Sequence, residues 1–376
     1  MGDSVALSPT VKHPPLAASH SFPISPSVLV FPTALTDKCK DHFVNRSSTL
    51  RALVYDSKQL VLETNRTDPR PAQGGFGEAV IRPIRMGVCS TDLEICKGYM
   101  QFKGVLGHEF VGIVEECTGK QAKNWVGKRV VGSINCVCGK CDMCQKGLRE
   151  HCRSRTVLGI SGRDGCFAEK FTLPVTNLFE VPAGVDDDHA VFTEPLAAAY
   201  QILRQLTIEG RPYITVLGDG RLGLLCAQVM SQLNATVRLV GKHPEKLALC
   251  EKWGVKHRML DEVGLRADQD IVVDCTGSSD GLTTAMKMVR PRGKIVMKTT
   301  VAPSAERSTL DLSPLVIHEI ELIGSRCGPF SEALTALSQG KIDVISLISK
   351  RAKLADGVEA IRAAKGKGIV KVLLEP

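Results

Sequence analysis

The sequence has 376 residues, 43% of them hydrophobic, with a formal net charge of +8 and 14 cysteines. That length predicts roughly two domains with apolar material for two cores; no apolar run approaches the ~18 residues that span a bilayer, which predicts a soluble chain with no membrane partner. Aromatics at 5% without an interleaved basic run argue against nucleic-acid binding by stacking, and cysteines that cluster instead of pairing along the chain argue for metal in a reducing, intracellular compartment over a disulfide scaffold.

Residues 1–49 are rich in Ser, Pro, Ala and His, and their acids are Asp3, Asp37 and Asp41. Such a composition buries too little surface to fold; it reads as a disordered tail or as a Ser-rich, acid-poor transit peptide, giving a cytoplasmic or a plastid location respectively. Folding is expected from Leu50, with residues 51–55 as a strand and residues 78–85 as another that carries Pro83 at an edge or bulge. Next come Gly87-Val88-Cys89-Ser90-Thr91-Asp92 and Leu106-Gly107-His108-Glu109-Phe110. The thiolate of Cys89 and the imidazole of His108 suit Zn²⁺, with Glu109 and the later Glu194 able to complete the set; so few protein ligands leave a position open, which marks a catalytic metal. Short strands at 110–114 and 129–132 continue a β-rich, barrel-like or partly open sheet with the site on its loops.

Cys138, Cys141, Cys144 and Cys152 form C-x₂-C-x₂-C-x₇-C. Four thiolates close a tetrahedral site with no open position, so this second zinc is structural and staples a lobe, 136–153, that has no core of its own. The last spacing and a missing Pro argue against an iron–sulfur cluster. Lys140, Lys146, Arg149 and Arg153 lie in the lobe to offset the net −2 of such a site, and Cys136 is expected to be packed, not ligated. A proline-bounded loop, 180–195, leads into a helix with Pro195 in its first turn and Glu194 near its positive end.

An apolar strand at 213–217 is followed by Gly218-Asp219-Gly220-Arg221-Leu222-Gly223, an amphipathic stretch at 222–233 and a strand at 236–240. In that context the glycine turn is a dinucleotide fingerprint, with Gly218, Gly220, Arg221, Leu222 and Gly223 around the pyrophosphate at the helix N-terminus. Alternation continues with strands at 270–274 and 294–297 and a helix at 281–289, predicting a doubly wound sheet. The second strand ends in Gly241-Lys242-His243-Pro244 with no acid for a ribose hydroxyl. Lys242, helped by His243 and by the room at Gly241, favours the 2′-phosphate of NADP over NAD.

From Leu50 onward the chain resembles the zinc-dependent medium-chain dehydrogenases, nearest the branch of threonine, polyol and glucose dehydrogenases. The resemblance rests on Gly87–Asp92, Gly107-His108-Glu109, the four-cysteine lobe, Glu194-Pro195-Leu196-Ala197 and the glycine turn. It implies an α/β protein with a GroES-like catalytic domain at 50–195, a Rossmann domain at 196–326 and a return to the catalytic domain at 327–376, assembled as a homodimer or homotetramer. It also implies one catalytic zinc on Cys89 and His108, with Glu109 and Glu194 as direct or water-mediated ligands. Thr91 would relay the alcohol proton and Asp92 would orient His108. The chain departs from the alcohol-dehydrogenase branch at Glu194, where that branch has Cys, and at Glu94, where many members have His.

The function these parts imply is hydride transfer between an alcohol or its carbonyl product and a nicotinamide, with zinc lowering the pKa of the substrate hydroxyl. The rivals are a catalytically silent NADP-binding sensor of the same fold, opposed by the intact ligand set, and a nucleic-acid-binding zinc module, opposed by spacing and scarce aromatics.

Overall fold

The computed structural model describes residues 49–73, 75–120, 122–300 and 310–376. The expectations for 1–48 lie outside the described residues. Among those described, no helix is long and apolar enough to cross a membrane.

The β-rich part is built on a seven-stranded sheet in the order Leu178–Glu180, Arg129–Gly132, Glu109–Cys117, Glu78–Gly87, Lys371–Glu375 and Ile348–Lys353, with Phe171–Pro174 also pairing with Glu78–Gly87. A smaller sheet of Leu60–Thr67, Thr49–Tyr55 and Gly104–Val105 packs with it around Leu53, Ile81, Met86, Phe110 and Leu173. Leu60–Thr67 is a strand that no alternating pattern announces: its burial is partial on both faces, as an edge position allows. Register shifts flank Pro83 where Glu78–Gly87 pairs with Glu109–Cys117, since proline cannot donate to the ladder.

The second part is a six-stranded, all-parallel sheet in the order Lys256–Met259, Thr236–Gly241, Tyr213–Leu217, Gln269–Asp274, Val289–Met297, Glu321–Gly324. This strand order reverses direction at Tyr213–Leu217, and ligands of such sheets bind at that switch point. One face packs on the helices Thr193–Gln205 and Arg221–Ser231 through Val216, Leu239 and Val296, and the other on Ser279–Met288 through Val240, Val272 and Ile295. Burial on both faces explains the continuous apolar strands of the sequence.

Local boundaries differ from expectation at several places. The loop at 180–195 holds a short helix, Asp187–Ala190, because Asp186 caps it by accepting from His189 N at 2.9 Å, while Pro195 falls in the first turn of the helix Thr193–Gln205, as expected. The helix expected at 281–289 starts earlier, at Ser279, with Ser278 as its cap, and ends at Met288 because Val289 already belongs to a strand.

Candidate active site

Strand register brings the metal-ligand candidates together. Gly87, the last residue of its strand, pairs with Glu109, the first of the next. Cys89, just past one strand end, and His108, just before the other strand begins, are thereby neighbours. Gly107 makes the approach possible: its φ is +95°, and a Cβ there would sit 2.3 Å from the Phe167 ring. The ligand atoms of Cys89, His108 and Glu109 all lie within 4.8 Å of one another.

Asp92 locks this arrangement. Its Oδ2 accepts from Cys89 N at 2.8 Å, fixing the start of the helix Ser90–Ile95, and its Oδ1 lies 3.3 Å from His108 Nδ1. With Nδ1 facing Asp92, Nε2 is left to meet a metal. Burial pushes the Cys89 thiol up, but the adjacent His108 and, behind it, Arg221 outweigh this and hold it at about 6. Burial works against a charge on His108, yet Asp92 and Cys89 reverse it and keep the imidazole well above its usual value. The thiolate is the form a metal takes. Glu109 Oε1 is buried without a hydrogen-bond partner, as an oxygen suited to a cation would be. A set of S, N and O donors fits Zn²⁺.

Glu194 stands in the first turn of Thr193–Gln205, outside that trio but near enough to feel it. Burial pushes its carboxyl up to about 7, with His108 pulling the other way and Cys89 adding to the rise. Thr91 Oγ1 lies 3.7 Å from Cys89 Sγ. Glu94 is turned to Lys97 at 2.7 Å.

Two cations at this site escape sequence reasoning. Lys371, on the strand Lys371–Glu375, is fully buried, ion-paired with Glu109 Oε2, and 5.4 Å from the centre of the Phe192 ring. Lys298 is also buried; its ammonium donates to Ala198 O at 2.6 Å and to Ser325 Oγ and Arg326 O at 3.0 Å. The only signal for either is a lysine inside an otherwise apolar strand or at its end.

In the cysteine lobe the sulfurs of Cys138, Cys141, Cys144 and Cys152 form a second cluster, with Sγ–Sγ distances of 3.5, 3.5 and 3.8 Å for the 141–144, 138–152 and 141–152 pairs. Four sulfurs at the usual ~2.3 Å from one zinc lie about 3.8 Å apart, so the cluster fits a closed tetrahedron. Backbone N–H groups of Arg153 and Cys144 hold Cys141 down to about 6. The offset expected from Arg153's side chain goes elsewhere, since its guanidinium is paired with Asp142 at 2.6 Å. Cys136 is buried outside the cluster, and burial pushes its thiol up to about 11.

At the glycine turn the helix Arg221–Ser231 starts with Gly220 as its cap. Arg221 reaches back across the cleft, donating to the Val88 carbonyl and to Ser90 Oγ at 3.1 Å, and so ties the turn to the Cys89 segment. Asp219 folds under the basic turn instead of facing out. Its Oδ2 accepts from Lys242 N and His243 N at 2.7 Å, and its Oδ1 contacts His243 Nδ1 at 2.9 Å. A Cβ on Gly241 would sit 2.3 Å from Asp219 Oδ2, so the glycine makes room for this carboxylate.

Comparison with known proteins agrees with this geometry. Residues 75–183 match the alcohol dehydrogenase GroES-like domain and residues 222–339 the zinc-binding dehydrogenase domain. An L-threonine 3-dehydrogenase of Streptomyces avermitilis is 31% identical over 323 residues, covering 80% of this chain and 92% of the relative. The chain belongs to the zinc-dependent medium-chain dehydrogenases. A sorbitol dehydrogenase of Halalkalibacterium halodurans is 28% identical over 82% of this dehydrogenase and 94% of its own length. A zinc-binding dehydrogenase from Sinorhizobium meliloti 1021, solved with NADP, superposes with a TM-score of 0.78 at 27% identity, covering 88% of this chain and 100% of that one. As a family member, this dehydrogenase is a zinc-type oxidoreductase acting on CH–OH donors with a nicotinamide cofactor.

Proposed function

We propose that this dehydrogenase interconverts a small polyhydroxy or amino alcohol and its carbonyl product, preferring NADP, and that it carries two zincs per chain. The observation that carries the reading is the convergence of Cys89, His108 and Glu109 within 4.8 Å beside a cleft bridged by Arg221. Those three, with Glu194 nearby, would hold a catalytic zinc, and the four cysteines of the lobe a structural one. Bound there, zinc supplies Lewis acidity toward the substrate oxygen. Asp92 fixes the His108 ring, the Thr91 hydroxyl relays the substrate's proton by accepting it as it gives up its own, and the glycine turn with Arg221 holds the cofactor's phosphates.

NADP preference rests on Lys242 and His243. Asp219, in the glycine turn beside the end of the second strand, spends both oxygens on Lys242 N, His243 N and His243 Nδ1, leaving Lys242 Nζ and His243 Nε2 for a 2′-phosphate. A charge-assisted hydrogen bond of ~1.5–3 kcal/mol corresponds to a roughly ten- to hundredfold preference. The division into segments 50–195, 196–326 and 327–376 is supported by the pairing of Lys371–Glu375 with Glu78–Gly87. A homodimer through the edge strand Glu321–Gly324 is supported by exposed Leu322, Val316 and Ile317 beside it.

The test is turnover of a panel of polyols, sugars, amino alcohols and aldehydes with each cofactor, on protein assayed for zinc. Two zincs per chain and a kcat/KM for NADP at least tenfold above that for NAD are expected, with Lys242→Ala removing most of the preference. One zinc and no turnover across the panel would refute the reading.

A further inference from the structure

A cavity of about 810 Å³ lies between the cysteine lobe and the ends of the strands Val289–Met297 and Glu321–Gly324. That volume suits a ligand of sugar size. The cavity lies within electrostatic reach of the candidate metal site. Lys298 and Cys327 on its wall both feel the Glu194 carboxylate. Thr300, also on the wall, hydrogen-bonds the Tyr99 hydroxyl at 3.3 Å, in the turn that follows the helix Ser90–Ile95.

The wall is cationic. Arg326 and, just behind it, Arg155 donate to one shared acceptor, the Glu150 carbonyl. Two guanidiniums are thus held side by side, and Arg155 is kept below its ordinary value, first by burial and then by Arg326. Among the described residues, Arg149, Arg155 and Arg326 have no carboxylate within ion-pairing distance, whereas Arg204 on the same wall is paired with Glu332 at 2.6 Å. Glu150 is the one acid on the lining among the described residues, with Lys298 as a further cation. Guanidiniums without a carboxylate partner, those of Arg149 and Arg326 on a concave wall, suit a carboxylate or phosphate.

Asn135 supplies an independent observation. It lines the cavity and is 4% exposed, and its Nδ2 donates to Cys327 Sγ at 3.2 Å. Its Oδ1 has no hydrogen-bond partner. A buried acceptor is costly to leave unpaired, and a ligand hydroxyl is a donor that satisfies it.

We propose that the substrate is an anionic polyhydroxy compound, a sugar acid or a polyol phosphate, with its anionic group at Arg326, supported by Arg149 and Arg155, and a hydroxyl donating to Asn135. This rests on the dehydrogenase reading only for where the reacting carbon lies. The anion subsite itself is defined by the arginines.

The experiment is calorimetric titration of the zinc-loaded, full-length protein in the presence of NADP with sorbitol, gluconate, sorbitol 6-phosphate and inorganic phosphate, with turnover measured alongside. At least one anion is expected to bind tenfold or more tightly than sorbitol. Arg326→Gln should cut the ratio of anion to sorbitol affinity by roughly 10–100-fold, the range of one charge-assisted hydrogen bond, and Arg326→Lys should restore part of it. Gluconate and phosphate tell a carboxylate from a phosphate subsite. Sorbitol binding as well as every anion, or Arg326→Gln shifting all ligands alike, overturns the proposal. Arg326-dependent anion binding without turnover of any alcohol would support the subsite and refute the dehydrogenase reading; turnover of sorbitol without such binding would do the reverse.

Discussion

Replacing Lys371 by Met tests whether the buried pair with Glu109 is an electrostatic unit. Both side chains are fully buried, so deleting the ammonium leaves a carboxylate in a low-dielectric site with no replacement solvent. Breaking one side of such a pair costs about 3–5 kcal/mol, whereas replacing both partners by neutral groups of similar volume is often nearly neutral. An unfolding entropy of ~2.1 cal/mol/K per residue, over some 330 residues of Ser47–Pro376, gives roughly 0.7 kcal/mol/K. The expected drop in Tm is therefore about 4–7 °C for Lys371→Met. Glu109→Gln combined with Lys371→Met should recover most of that loss, giving a large coupling in a double-mutant cycle. Differential scanning calorimetry on protein of measured zinc content reads both numbers. A single variant melting with the wild type, or a double variant that loses the sum of the two singles, would refute the reasoning.

Cys89→Ala and His108→Ala should abolish turnover while one zinc and the fold remain, and Cys141→Ser should yield poorly folded protein because the lobe loses metal-derived folding energy; metal analysis with circular dichroism decides between these roles. Thr91→Ala should lower kcat by ~10²–10⁴-fold with cofactor affinity little changed, and Thr91→Ser should keep most of the rate; an Ala variant of normal kcat would remove the relay. Arg351, with its hydrogen bonds first, and then Arg85, hold the Asp188 carboxyl below its usual value against the opposing effect of burial. A lowered carboxyl contributes stability above its unfolded pKa of about 3.9 and loses it as pH falls through the folded value. The stability gap between wild type and Asp188→Asn should therefore be widest near neutrality and close as pH drops below the unfolded value, and a pH-independent gap in urea titrations would refute the assignment.

What the sequence disclosed was local. The spacing of Cys138, Cys141, Cys144 and Cys152 encodes a closed tetrahedron because a few residues of chain fix the distances. The glycine turn announced itself because a strand, a tight turn and a helix follow one another without interruption. Non-local pairing was illegible. Nothing near Glu109 points to Lys371, 262 positions away, because the register of the C-terminal strand is set by packing across the sheet. Asp219 carries no signal of its own within a glycine motif, since its role depends on the strand Thr236–Gly241 lying alongside. Gly241→Asp, which sequence reasoning would choose to reverse cofactor preference, meets Asp219 instead of open space. The cavity beside Lys298 escaped for the same reason: its wall is assembled from the cysteine lobe, the turn after Gly324 and the end of the strand at Met297.

The pairing of Lys371–Glu375 with Glu78–Gly87 also sets an order of events during synthesis. A chain emerging from the ribosome exposes the cysteine lobe and the whole parallel sheet, through Gly324, well before Lys371. The lobe can gather its four thiols, and the nucleotide-binding unit can fold, from contiguous segments as they appear. Glu109 has to wait. Until the strand at 371–375 is made, its carboxylate lacks its buried countercharge, and closing that long loop is deferred to the last step. A chain released before Lys371 would thus hold every candidate metal ligand yet leave Glu109 without its buried countercharge.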